Sequence, residues 1–363
     1  MSRIFGPSIY LATDKNIYDA FQHKAVTKRK LVDMLVKRGI YVSEESSKED
    51  IAEYLSKLNF DYFDYMQVSS FLENPNRREK ISTSRLKVET SSPEIKSVCD
   101  EIKEKNLDVG DAATIRVKNG KTVLSVNYTE VDFTKTELKQ RVTKKCDIEI
   151  ENNEDGLVIR SPSNKKSEKI VSQIKAIINR DKEGDVEDDD ISLRAISDAV
   201  ARSEFFFDLI KTIQGYKLDD VTLVDVHHQD SQLDEENEYE DDDVERTVNL
   251  VGYIKKAALS GGGVLSSLEF KELVKKGFYI SRVVWHIVPK DDIGDKFSLE
   301  ALFKNPDDCD GFTYIVRGAY NASSTGYNST RRPPTREECK KLNDLIEKSA
   351  VESHSKIIAE YGV

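Results

Sequence analysis

The segment DIEIENNEDGLVIRSPSNKKSEKIVSQIKAIINR, residues 147–180, decides the fold class. Its first half alternates apolar and polar side chains on both sides of a turn ending Asp155-Gly156, the period of a two-stranded hairpin. In its second half Ile170, Val171, Ile174, Ile177 and Ile178 recur at helical spacing and form one apolar stripe. Upstream, IRVKNGKTVLSV (115–126) sets Asn119-Gly120 between alternating runs. That dipeptide is a strong hairpin cue, because both turn residues must accept positive φ. Two hairpins and one amphipathic helix make a small α+β unit at 94–181.

The same reading extends to the C-terminus, where residues 191–363 form a larger α+β domain with mostly antiparallel strands. Ile191 to Ile213 reads as a helix with Phe205, Phe206, Leu209 and Ile210 on its apolar side. DVTLVDVHH (220–228) and FYISRVVWHIVP (278–289) read as strands, the latter rich in β-branched and aromatic residues. VNLVGYIKKAAL (248–259) and SSLEFKELVKKG (266–277) read as helices, the second stopped at Gly277. FSLEALF (297–303) and GFTYIVRGAY (311–320) are further strands, and Thr335 to about Tyr361 is a closing helix.

Charge is distributed unevenly. The 363 residues carry 55 Lys+Arg and 66 Asp+Glu, a net charge of −11. Residues 1–90 hold 15 bases and 13 acids, so the acidity lies in the remainder. It peaks in DKEGDVEDDD (181–190) and in a run from Asp230 to Glu245 with ten carboxylates and no base. Such runs repel themselves, and they read as an acidic linker at 182–190 and an acidic loop at 229–246. A net-acidic chain argues against histone-like coating of nucleic acid but leaves room for a local basic face. No run of about 18 apolar residues predicts a transmembrane helix, and the first twenty residues lack the apolar core of a signal peptide. Cys99, Cys146, Cys309 and Cys339 show no CxxC spacing and read as free thiols of a cytoplasmic protein.

The N-terminal region, 1–75, reads as a helical module, joined through a basic linker at 76–93 to the rest. Within it stands TKRKLVDMLVKRGIYVSEESSKEDIAEYLSKL (27–58). Leu31, Met34 and Leu35 share one helical face, which stops at Gly39. A second helix begins at Ser47, with Asp50 three residues on as an acidic approximation to a capping box, and carries Ile51, Tyr54, Leu55 and Leu58. These 32 residues resemble the SAP/LEM-like helix–extended loop–helix family, with Leu31, Leu35, Gly39, Ile40, Ile51 and Leu55 in the expected places. Many members bind DNA through bases at the helix starts, which neutralise phosphates without reading sequence. The resemblance implies that role for Lys28, Arg29, Lys30 and Lys48, with Arg77 and Arg78 of the linker as a second contact. Glu44, Glu45, Glu49 and Asp50 depart from it, since they repel phosphate, and related LEM-type modules bind protein instead.

No GxSxG, HExxH, Walker A or GxGxxG signature is present, so no catalytic residue, metal ligand or cofactor is assigned. Asp147, Glu149 and Glu151 beside Lys144 and Lys145 are the one grouping suited to a metal nuclease. Adjacent His227 and His228 face opposite sides of a strand and cannot share a metal. His286, Ser260–Gly263 and the loop 320–334, with Arg331 and Arg332, read as structural or solvated. The expectation is a non-enzymatic, DNA-associated or adaptor protein. Its N-terminal module contacts the DNA backbone, and its C-terminal domain binds a protein partner or self-associates. The setting expected is a prokaryotic antiviral or mobile-element system. A metal-dependent nuclease and a protein-only scaffold are the alternatives.

Overall fold

The computed structural model describes residues 12–362, except 73–78, 109, 119, 136–137, 139, 154–155, 185, 229–255, 262, 292 and 324–325. The acidic loop 229–246, the linker arginines Arg77 and Arg78, and the turn residues Asn119 and Asp155 therefore lie outside the described residues. The protein is α+β, with an N-terminal helical region and a larger C-terminal part of mostly antiparallel strands. The chain divides into two compact units, Met1–Arg78 with Ser92–Ile148, and Glu79–Ser91 with Glu149–Val363.

The first unit opens with four helices, α1 (Asp14–Gln22), α2 (Lys28–Lys37), α3 (Lys48–Ser56) and α4 (Tyr62–Leu72). Their apolar stripes meet in one core built on Phe21, Leu31, Leu35, Ile51, Leu55 and Val68. Thr13 and Ser47 cap α1 and α3, each with a capping box. Asp50 is the third residue of the second box, and its carboxylate accepts from Ser47 N at 3.3 Å. Gly39 ends α2 with φ +75°, a conformation that disfavours a side chain. Leu138, far along the chain, is buried in the same helical core, and its carbonyl accepts from Ser69 Oγ at 3.3 Å. The unit continues with α5 (Ser92–Glu101) and the predicted hairpin of β2 (Ala112–Lys118) and β3 (Lys121–Val131). It ends in the first part of β4 (Arg141–Asn153).

In the second unit residues 149–153 of β4 pair with β5 (Gly156–Pro162). β1 (Ile81–Lys87) pairs β5 on one side and β11 (Asp310–Tyr320) on the other, all antiparallel. The sheet continues through β10 (Lys296–Asn305), β9 (Phe278–Pro289), β7 (Tyr216–His228) and β8 (Lys256–Ser260), each pair antiparallel. On one face α7 (Ala199–Lys211) and α9 (Arg336–Tyr361) bury Phe205, Phe206, Trp285, Leu299, Phe303 and Tyr314. The stripe of α6 (Lys165–Asp181) is buried, and that helix packs on β5. Arg160 of β5 reaches α9, so its neighbours Leu157 and Ile159 point to the other face, where α6 lies.

Four expectations need correction. Residues 81–87, read as linker, form β1, an interior strand. The acidic stretch 182–190 contains β6 (Glu187–Asp188), paired to β1, and Asp190 accepts from Ser84 Oγ, Arg85 N and Lys175 Nζ. Its carboxylates thus find donors, and self-repulsion does not decide. Residues 256–260 are a strand, not a helix, because Ala257 and Leu259 pack on the core and the residues between them face solvent. The helix expected over 191–213 starts only at Ala199, capped by Asp198, whose side chain accepts from Ala201 N at 2.7 Å.

A buried polar knot ties β1, β5, β11 and α9 together. Arg160 donates to Glu347 from Nε at 2.6 Å and to Glu151 at 2.9 Å. Tyr314 donates to Glu347 at 3.3 Å. Replacing Glu347 with Ala leaves Arg160 on Glu151 alone and takes an acceptor from the buried Tyr314 hydroxyl, so the unit should lose about 1–3 kcal/mol, measured by chemical denaturation. At the start of α9, Arg332 and the Thr335 backbone hold the Glu338 carboxyl down at about 2. A lowered folded value means the stabilisation is present above the ordinary carboxyl value of 4.5 and is lost as pH falls toward 2. Thermal midpoints between pH 5 and pH 2 should therefore fall less steeply in Glu338→Gln than in the parent chain.

Candidate nucleic-acid interface

Helix α2 begins with three successive cations, Lys28, Arg29 and Lys30, and no acidic residue in its first turn. The helix dipole opposes positive charge there, by about 0.3–1 kcal/mol for each exposed group. Its N-cap Thr27 makes no side-chain bond to the helix, whereas Thr13 and Ser47 do. This is a poor arrangement for helix stability and a good one for meeting an anion.

The tertiary fold gathers these bases around one turn. Lys30 Nζ donates to the Ala25 carbonyl at 2.9 Å, and Lys48 Nζ, from the start of α3, donates to the His23 carbonyl at 3.3 Å. Lys28 Nζ donates to the Glu44 carbonyl at 2.5 Å. Lys30 Nζ also lies 4.9 Å from the centre of the Phe71 ring. Arg29 points into solvent. Two further exposed bases went unnoticed in the sequence as interface residues, or nearly so. Lys24 sits in the α1–α2 turn, and Lys37 shares with Lys30, Asp33, Val36, Gln67 and Phe71 a groove of about 430 Å³ between α2 and α4. The KAVTKRK run (24–30) was the available signal.

Among the described residues, none of Lys24, Lys28, Arg29, Lys30, Lys37 or Lys48 forms an ion pair; the polar partners of Lys28, Lys30 and Lys48 are backbone carbonyls. A carbonyl orients an ammonium but leaves its charge uncompensated. Other bases of the module behave differently. Lys15 pairs with Asp19, Lys57 with Glu53, and Arg38 with Asp64 at 2.6 Å. Arg38 also stacks 4.7 Å from the Phe60 ring. Its role at the far end of α2 is structural. Of the acids that seemed to oppose phosphate, Asp50 is occupied in the capping box of α3. The aromatic segment that follows residues 27–58 leads into α4; Phe60 just before that helix, and Tyr65 and Phe71 within it, pack on the helical core. Tyr62, Phe63 and Met66 remain exposed.

The other candidates separate. Asp147 accepts from Ser125 and from Lys145 at 2.9 Å. Burial pushes its carboxyl up, but those bonds outweigh burial and hold it low. Glu151 is taken by Arg160. No group of three or more His, Cys, Asp or Glu is arranged for a metal ion among the described residues. His227 Nε2 meets Asp307 at 2.7 Å, while His228 packs on the Phe278 ring. Gly263 N donates to Asp220, and the run 260–263 follows a strand, not a helix. Cys99, Cys146 and Cys309 are buried, and burial pushes the Cys99 and Cys309 thiols up to about 12. No helix among the described residues is long and apolar enough to cross a membrane.

This geometry defines a small four-helix module with a basic turn on its surface. Residues 15–78 match the family described as the GAPS4b protein N-terminal domain. The match covers the module and stops where the chain passes into the second unit. No curated protein matches the chain.

Structural and functional bases should separate on mutation. Arg38→Ala removes an ion pair and a ring contact, and should destabilise the protein by about 1 kcal/mol in a denaturation experiment. Arg29→Ala, which removes neither, should leave the midpoint unchanged.

Proposed function

We propose that the chain is a non-enzymatic, DNA-associated adaptor of a bacterial antiviral system, and that its N-terminal module contacts the phosphate backbone. The observation that carries this reading is that six described bases in the α1–α2 turn, along α2 and at the start of α3 have no carboxylate partner, while the other described Lys and Arg residues of the module are paired. Phosphate contacts need accessible, uncompensated cations; Lys28, Lys30 and Lys48 are half-buried and held by carbonyls, and Lys24, Arg29 and Lys37 are exposed. The SAP/LEM-like resemblance of residues 27–58 supports the same role for Lys28, Arg29, Lys30 and Lys48. The setting is supported by the family matched at 15–78, which is associated with bacterial defence.

The adaptor half of the reading is a protein contact. Within the module it is best supported on α4, where Tyr62, Phe63 and Met66 are exposed together, with Phe63 78% accessible. Exposed aromatic and Met side chains suit a protein partner better than a phosphate. This also keeps a second reading open, in which the module binds protein alone.

The test is DNA binding by the full chain and by a variant with Lys28, Arg29, Lys30 and Lys48 changed to Ala, across a salt series. Each lost phosphate contact should lower the slope of log K against log salt by about one. The variant should therefore bind weakly and with a slope reduced by up to about four. Equal slopes for the two proteins would remove the DNA reading of the module and favour the protein-only one.

A further inference from the structure

The sheet of the second unit has one face covered by α7 and α9. On the opposite face α6 covers the β1–β5 end, and the β9–β10–β11 region carries charge. At its centre Glu300 is only 4% exposed. It pairs with Lys80 at 2.9 Å, accepts from Arg282 Nε at 2.9 Å and lies 3.4 Å from Arg317 Nε. Asp225, 5% exposed, meets Arg282 at 3.3 Å and Lys256 at 3.6 Å. Burial alone would raise the Glu300 carboxyl, but Lys80 and Arg282 beside it outweigh burial and keep it below the ordinary range. Both carboxylates are the floor, and the bases are the outer layer.

A fifth cation completes the layer. Gly318 pairs with Ser298, two residues from Glu300 on β10 and so on the same face. The Arg331 stem crosses Gly318 where any Cβ would collide with it, at 2.5 Å. A bulge in β11 between its pairings with Ser298 and Leu299 sets Arg317 and Gly318 side by side on this face. Arg331 is exposed and, among the described residues, makes no ion pair. Its neighbour Arg332 is fully engaged by Asp295 and Glu338. The adjacent arginines of loop 320–334 thus have opposite roles.

We infer that this sheet face is a second nucleic-acid surface, in which Arg317, Arg331 and Lys256 meet backbone phosphates while Lys80 and Arg282 hold the carboxylate floor beneath them. Besides these five cations and two carboxylates, the face carries Asp220 opposite His286 and the Lys296–Asp219 pair, so cations exceed carboxylates by six to four. Arg317, whose Nε lies 3.4 Å from Glu300, and the exposed Arg331 keep terminal N–H groups for a forked partner, and phosphate fits that fork, whereas Arg282 is held by both Glu300 and Asp225. The choice between nucleic acid and an acidic protein rests on what the face lacks. The exposed large apolar side chains described in this unit are Val200, Leu268 and Ile293, none on β9, β10 or β11. Protein interfaces are anchored by buried apolar and aromatic groups, whereas backbone recognition needs none.

The experiment uses the full chain, a short labelled duplex, the corresponding single strand and a poly-glutamate peptide. Arg317→Gln with Arg331→Gln leaves Lys80 and Arg282 on Glu300, and leaves every base of the N-terminal module in place. The double variant should bind DNA about tenfold more weakly, with a salt slope lower by about two. Combined with the Lys28/Arg29/Lys30/Lys48 variant, the two losses should multiply, as for separate surfaces. Unchanged affinity and slope in the double variant would overturn the inference while leaving the module's role standing. A loss confined to the poly-glutamate arm would overturn it in favour of an acidic protein partner. Circular dichroism checks folding. Should the double variant misfold, Arg331→Glu alone, at an exposed side chain, should still weaken DNA binding, and its failure to do so would count against the inference.

Discussion

The second unit depends on one insertion, that of β1 between β5 and β11. The strand is short, and its sequence, ISTSRLK, is polar. What holds it is register on both sides and the knot of Arg160, Glu347, Tyr314 and Thr83, which closes over its one face. On the other face Ser84 and the Arg85 backbone donate to Asp190. Gly156 marks how closely the strands approach, since a Cβ there would sit 2.3 Å from the Leu86 carbonyl oxygen. With β1 in place the sheet runs unbroken from β5 to β8.

Much of this fold is legible from pattern. The α6 stripe, the hairpins, β9, β10, β11 and the capped closing helix all follow from period and turn chemistry, because their burial is one-sided and continuous along the chain. What is not legible is structure that borrows its partners. β1 reads as linker because its polar residues are satisfied by groups some hundred or more positions away, such as Asp190 and Glu347. The 182–190 run reads as solvated because its donors, Lys175, Arg85 and Lys87, are invisible locally. At 256–260 a short apolar alternation continues a helical pattern, and period alone cannot separate the two.

The candidate surfaces show the same division. Residue type named Lys28, Arg29, Lys30 and Lys48, and the helix-start position followed from spacing. Nothing in the sequence distinguishes a base that is ion-paired from one that leans on a carbonyl. Arg38 and Arg29 read alike, yet one is spent on Asp64 and Phe60 and the other is not. Arg331 and Arg332 differ for the same reason, since Asp295 and Glu338 reach only the second. Charge identity is a local property, but charge availability belongs to the folded chain.

The pairing of Ile81 with Tyr314 has a kinetic consequence. A strand made early in synthesis waits for a partner made late. The four helices and their apolar core can collapse soon after they emerge, apart from the place filled by Leu138. Residues 81–87 can pair with β5 once residues 156–162 emerge, but the edge that meets β11 stays open until β11 leaves the ribosome. Long-range pairing of this kind slows folding and leaves unpaired edges exposed to other chains. The polar character of ISTSRLK then acquires a second meaning: a strand that must wait unprotected is safer with serines and threonine on it than with valines and isoleucines.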